Sequence, residues 1–419
     1  MNLLFENIKG LLQATDEHVD WVAGKDMQQL KYIENAWLFI KDGKVEDFGS
    51  MDNSPSHIAQ RFDASGRYVM PAFVDSHTHI VFAASREREF EMRINGKTYE
   101  EIAAEGGGIL NSAKRLQETS EKELLRSARK RLHEIISMGT GAVEIKSGYG
   151  LTPESELKML RVVKQLKEES PIPIKATFLG AHAIPMEYRD NREEYVRQVI
   201  EDMLPQVRDE GLAEYIDVFC DRGFFTQEES DRILKAGVEA GLKPKVHANE
   251  LDYTGGIQVG VKNNAISVDH LECTGDEEIK VLKDSRTMPC ILPATAFFLN
   301  IEYPPARKMI NNGLPVALAT DYNPGSCPSG NMNFVFSLAC VKLRMTPEEA
   351  LNAMTINGAY ALEMQNQAGV IKKGNPANIL ISEPVSSLAF LPYSFGNNHL
   401  ETVMINGEIY KGQELPRIN

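Results

Sequence analysis

The chain has 419 residues, 42% hydrophobic and 25% charged, the proportions of a globular protein long enough for one large barrel with an accessory piece. Its formal net charge of −14 argues against nucleic acid or an anionic membrane as partner, but leaves room for a small anionic substrate met by a local cation. With no basic segment leading into an apolar run and no stretch of roughly 18 apolar residues, a cytoplasmic protein is expected. Cys220, Cys273, Cys290, Cys327 and Cys340 lack Cys-x-x-Cys spacing and read as reduced packing residues.

Residues 1–66 read as the N-terminal part of a small β domain, with a hairpin over 36–49 turning at Asp42-Gly43. From Arg67 strands and helices alternate, the pattern of a parallel sheet with helical crossovers. Strands are expected over 68–80, 140–147, 172–183, 213–221, 243–250, 265–272, 287–294 and 315–323. Ser120/Glu123, Thr226/Glu229 and Thr346/Glu349 each place a hydroxyl at a helix start and a Glu three residues on, the capping-box spacing, with Pro347 at a first helical position. Eight such units predict an α/β fold, a (β/α)8 TIM-like barrel over 67–367 whose chemistry lies at the C-terminal strand ends. Residues 368–419 return to strand composition, with a second hairpin turn at Asn406-Gly407, and complete with 1–66 a smaller composite β-sandwich domain.

Of nine histidines, His18, His57, His133 and His399 fall in flanking segments or on a helix. The other five, His77, His79, His182, His247 and His270, fall at the ends of predicted strands one, three, five and six. His77 and His79, spaced i and i+2, share one face of a strand. Taken singly, His247 reads as a core histidine and Asp321 as a loop acid. Taken with their strand-end positions, they complete a possible metal set of His77, His79, His247 and Asp321. Three nitrogens and one oxygen suit Zn2+ or Fe2+ better than Mg2+ or Ca2+.

This order of His-x-His after strand one, His after strands five and six and Asp after strand eight resembles the amidohydrolase superfamily. The match is strongest in Val81-Phe-Ala-Ala-Ser-Arg-Glu-Arg-Glu-Phe90, Glu144-Ile-Lys-Ser-Gly-Tyr-Gly-Leu151, Gly180-Ala-His182, His247-Ala-Asn-Glu250 and Thr320-Asp-Tyr-Asn-Pro-Gly-Ser326. The resemblance implies one divalent metal ion per subunit, Zn2+ or Fe2+/Fe3+. Members with two metals usually carry a Lys at the end of strand four, where this chain has Val218-Phe-Cys-Asp221. It also implies hydrolysis of the ring C–N bond of a small-molecule substrate, 4-imidazolone-5-propanoate, to N-formimidoyl-L-glutamate in histidine degradation. Under it Glu250 is the first choice for proton shuttle and Asp321 the second, and His270 stabilises the oxyanion. Arg86 pairs with the substrate carboxylate, while Tyr149, His182, Glu250, Asn323, Gly325 through its backbone N–H, and Ser326 line the substrate. Tyr99 is a weaker contact, and Lys146, on strand two, is a structural or supporting cation. A homodimer is compatible with the resemblance. Two other readings stay open: a related mononuclear deaminase acting on another heterocycle, and a catalytically silent scaffold.

Overall fold

The computed structural model describes residues 2–56, 58, 60–97, 101, 107–412 and 415–418; His57 and Tyr99 lie outside the described residues. The N-terminal strands are β1 (Asn2–Leu12), β2 (Tyr32–Lys41), β3 (Lys44–Ser50), β4 (Arg61–Asp63) and β5 (Tyr68–Pro71). Next come β6 (Phe73–Asp75), β7 (Thr140–Lys146), β8 (Ile174–Ala181), β9 (Tyr215–Cys220), β10 (Lys243–Ala248), β11 (Ser267–His270), β12 (Met288–Ile291) and β13 (Ala317–Leu318). The C-terminal strands are β14 (Ile379–Ser382), β15 (Leu400–Ile405) and β16 (Glu408–Gly412).

The N- and C-terminal strands share one mixed sheet ordered β16-β15-β14-β5-β1-β2-β3, with β4 beside β1. Along β1 the side chains alternate: Leu3 and Phe5 join Leu38, Ile40 and Ile381 in one apolar cluster, and Leu4 joins Trp37 and Phe39 in another. Both expected hairpin turns form. Asp42 and Gly43 have φ of 50° and 79°, and Asn406 and Gly407 of 53° and 77°, the left-handed pair that a two-residue hairpin requires.

The second sheet, β6 to β13 in sequential order, is all parallel and nearly closed. Its strands are buried almost throughout, as expected where helices cover a parallel sheet from outside. This is the barrel expected from the alternating pattern, beside a mixed sheet from both ends of the chain. Two of the three expected capping boxes form in full, at Thr226 and Thr346. Ser120 accepts from the Glu123 N–H, but the Glu123 carboxylate turns to Arg126 instead.

The first expected strand, 68–80, is divided between the sheets. The Ala72 N–H donates to Asn378 O (3.0 Å) in the mixed sheet, and the next N–H, of Phe73, donates to Gly139 O (2.9 Å) in the barrel. One continuous β-like sequence therefore serves two sheets, because its backbone donors change partner between adjacent residues. The seam between the first and last barrel strands closes beyond both of them, through a bridge between Thr78 and Tyr322. There the Asp321 N–H donates to His77 O (3.0 Å) and the His79 N–H to Tyr322 O (2.9 Å). Buried Asp75 reinforces the seam by accepting from the Thr320 N–H (3.0 Å) and hydroxyl (2.7 Å). Burial still pushes its carboxyl up to about 7.

Candidate active site

The seam places His77, His79 and Asp321 side by side, and β10 brings His247 to them. His77 and His79 approach through their Nε2 atoms at 3.3 Å, and His79 and His247 through theirs at 3.4 Å. Asp321 Oδ1 lies 3.5 Å from His77 Nε2 and 3.7 Å from His79 Nε2. Its other oxygen accepts from Thr295 Oγ1 (2.6 Å) and Ser326 Oγ (3.3 Å), which turns Oδ1 toward the histidines.

The far nitrogens face acceptors. His77 Nδ1 is 2.7 Å from Asp269 Oδ2, His247 Nδ1 is 3.0 Å from Asp217 Oδ2, and His79 Nδ1–H donates to Ser147 O at 3.4 Å. With protons on the Nδ1 atoms, the Nε2 lone pairs converge on one point with no proton between them. That is unfavourable unless a cation occupies the point. A tetrahedral cation bound at about 2.0–2.1 Å from nitrogen spaces its ligands by about 3.3–3.4 Å, so the donor set fits a transition metal in both chemistry and spacing. His77, His79 and His247 form one group of possible ligand atoms within 4.8 Å of one another, and His77, His270 and Asp321 form a second.

Beneath these ligands lies a layer of charge that sequence reasoning assembled only in part. Lys146 Nζ donates to Glu144 (2.7 Å) and Asp217 (2.8 Å), and sits 3.5 Å from Asp269. Lys245 bonds Glu144 and the Ser76 carbonyl. All five side chains are fully buried. Burial works against the ammonium of Lys146, yet Asp217, Glu144 and Asp269 hold it charged, above the ordinary lysine range. The sequence does carry a signal: Asp75 precedes His77 by two residues, Lys245 precedes His247 by two and Glu144 precedes Lys146 by two. That period turns each pair to the same face of its strand, here the barrel interior.

At the strand ends the backbone is bent into the left-handed region at Asn249 (φ 55°), His270 (φ 83°), Leu271 (φ 73°) and Asp321 (φ 58°). Such conformations cost about 1–3 kcal/mol each in non-glycine residues and gather where side chains must be aimed. His270 Nδ1 comes 3.6 Å from Glu250 Oε2 and 4.0 Å from Glu272 Oε2. Burial holds His270 well below the usual histidine range, hence neutral. Burial, then the charges of Asp321 and Asp221, push Glu250 up to about 8.

A second set of residues forms the rim. The Tyr149 ring lies 5.8 Å from His79 and 5.3 Å from His182, and Arg86 Cζ is 5.9 Å from Tyr149. His182 Nδ1–H donates to Gly148 O (2.9 Å), and burial pushes the ring down to about 3, so its Nε2 is an acceptor. Gly148, at φ 109°, admits that ring: a Cβ there would fall 2.7 Å from His182 Nδ1. Glu156, missed from the sequence, accepts from the N–H groups of Gly148 (3.0 Å), Gly150 (2.6 Å) and Leu151 (2.9 Å), and so shapes the loop that carries Tyr149.

The turn after β13 is closed by its own polar groups. The Gly325 N–H, assigned to the substrate, donates to Asn323 Oδ1 (2.8 Å), as does the Ser326 N–H (2.8 Å). The Asn323 amide N–H groups donate to Asp321 O and Ser326 Oγ, both at 2.7 Å. These polar groups build the turn. Gly325 also supplies space, since a Cβ would fall 2.3 Å from an Arg86 terminal nitrogen.

A model of the Amidohydrolase family matches residues 68–410. Over 410 residues the chain is 55% identical to a protein of Christiangramia forsetii and 56% identical to one of Flavobacterium johnsoniae, both named imidazolonepropionase, covering 98% of this chain and 100% of each relative. The zinc complex of atrazine chlorohydrolase from Arthrobacter aurescens superposes with a TM-score of 0.73 at 16% identity, over 99% of this chain and 96% of that one. The guanine deaminase of C. acetobutylicum does so with a TM-score of 0.68 at 16% identity, over 98% and 100%. At those identities the structural likeness shows the fold alone. The full-length relatives and the family match together establish that this chain belongs to the amidohydrolase family.

Proposed function

We propose that the chain hydrolyses the ring C–N bond of 4-imidazolone-5-propanoate, giving N-formimidoyl-L-glutamate. The observation that carries this reading is a guanidinium, Arg86, two aromatic contacts from a cluster of metal-type ligands. Arg86 has no carboxylate partner among the described residues, as befits a cation reserved for an anionic substrate arm. Full-length relatives at 55–56% identity bearing the imidazolonepropionase name support the same substrate.

His77, His79, His247 and Asp321 would hold one divalent ion, Zn2+ or Fe2+, which supplies a water of lowered pKa and a Lewis acid for a carbonyl. The remaining work belongs to the chain. Glu250, whose carboxyl is raised toward neutrality, takes a proton from the attacking water and returns it to the ring nitrogen as the C–N bond breaks. Neutral His270 donates its one N–H to the carbonyl oxygen as negative charge develops there. His182 accepts from a ring N–H through Nε2, Tyr149 flanks the ring, and Arg86 takes the propionate end-on with two parallel N–H bonds. Asn323, Gly325 and Ser326 line the substrate from the turn against which Arg86 rests.

Incubation with freshly generated imidazolonepropanoate should remove the ring chromophore. Arg86→Gln should raise KM steeply with kcat largely kept, because a carboxylate grip acts in ground and transition state alike. A deaminase of a neutral heterocycle would be indifferent to that substitution, and that result would remove the proposal. So would a metal-loaded protein with no turnover of imidazolonepropanoate.

A further inference from the structure

Arg86 begins the segment that leads into the helix Glu87–Ile94, and among the described residues no group of that segment bonds its guanidinium. The fixing group comes from the helix Ile109–Glu118. Ser112, Ala113 and Leu116 are its buried residues, so one hydroxyl is turned into an otherwise apolar contact face. Ser112 is 7% exposed, and its Oγ accepts from Arg86 Nε–H at 2.7 Å. The two segments are tied by a second bond, in which the Gly108 N–H just before this helix donates to Glu89 Oε1 at 3.0 Å.

A guanidinium can meet a carboxylate along the edge made by Nε and one terminal nitrogen, or end-on through both terminal nitrogens. Ser112 occupies Nε, and the bare Cα of Gly325 leaves room for a terminal nitrogen. We infer that Ser112 is a positioning residue that commits the Arg86 guanidinium to end-on recognition of a substrate carboxylate, and so a determinant of specificity for acids over their neutral counterparts. The inference rests on the carboxylate-bearing substrate proposed above. It adds a residue that touches no substrate and acts only through Arg86.

The experiment compares the unsubstituted protein, Ser112→Ala, Ser112→Thr and Arg86→Gln. It reads KM and kcat for imidazolonepropanoate, and the binding of two non-reacting probes, imidazole-4-propionate and imidazole-4-propionamide. Ser112→Ala should raise KM about ten- to fifteenfold, the low end for a hydrogen bond to a charged group, with kcat within about twofold. The propionate probe should weaken by the same factor and the propionamide probe should not change. Ser112→Thr, which keeps the hydroxyl, should restore both values. If Arg86→Gln raises KM while Ser112→Ala does not, the inference fails and the substrate reading stands. If Arg86→Gln leaves KM and propionate binding untouched, the substrate reading fails and takes the inference with it. Equal weakening of both probes by Ser112→Ala would show a general loosening of the rim and overturn the positioning role.

Discussion

The floor and the rim of this site are built by different means. The floor consists of His77, His79, His247 and Asp321 with Asp217, Asp269, Glu144, Lys146 and Lys245 beneath them. Its residues stand on barrel strands or at the strand ends, are buried, and meet partners on other strands. The rim, with Arg86, Ser112, Tyr149, His182 and the Tyr322–Ser326 turn, stands on loops and short helices. There a single contact, such as Ser112 on Arg86, decides an orientation. A barrel can keep one chemistry while its loops change what is admitted, because a shift in a loop does not reach side chains fixed by several partners.

That contrast can be broken from below most severely. Lys146→Met removes the cation shared by Glu144, Asp217 and Asp269, leaving buried carboxylates under-compensated. Stability in urea unfolding should fall by about 3–5 kcal/mol, and metal affinity by about 10–100-fold, since the acceptors behind His77 and His247 lose their brace. An unchanged unfolding midpoint would mean that the floor is not braced this way. Glu250→Gln should keep the metal and lower kcat by about 10²–10⁴. Because burial raises this carboxyl to about 8, a base role is lost as pH falls through its pKa, and a bound cation nearby draws that midpoint lower. The rising limb of kcat/KM should therefore lie at or below about pH 8 and vanish in Glu250→Gln; a limb that survives would move the base elsewhere. Gly325→Ala, which drives a Cβ against Arg86, should be milder, raising KM severalfold with metal content intact. A fall in kcat with KM unchanged would place the turn with the floor.

Much of the floor was legible in the sequence because barrel geometry converts strand-end positions into neighbours, so His77, His79, His247 and Asp321 could be grouped without knowing their distances. The barrel and both hairpins were legible for a different reason, as period and turn chemistry are local. The division of residues 68–80 between two sheets was not, since β-like sequence reads alike in either, and only the switch of partners at Ala72 and Phe73 separates them. Asp217 was hidden as a single acid in an apolar strand, although the period-two charges on neighbouring strands point inward with it. Ser112 left no signal, because a serine on a helix face is commonplace until the arginine it meets is placed. The closing of the Asn-Pro-Gly turn by the Asn323 side chain was not legible either, because the turn residues alone do not say where that amide points.

On the reading proposed above, the floor would hold one cation independently of the rim. The most direct measurement is metal content per chain, by elemental analysis of protein purified without added chelator, for the unsubstituted chain, Arg86→Gln and His77→Ala. One equivalent of zinc or iron is expected in the first two and background levels in the third. Two equivalents in the unsubstituted chain, or full retention by His77→Ala, would contradict it.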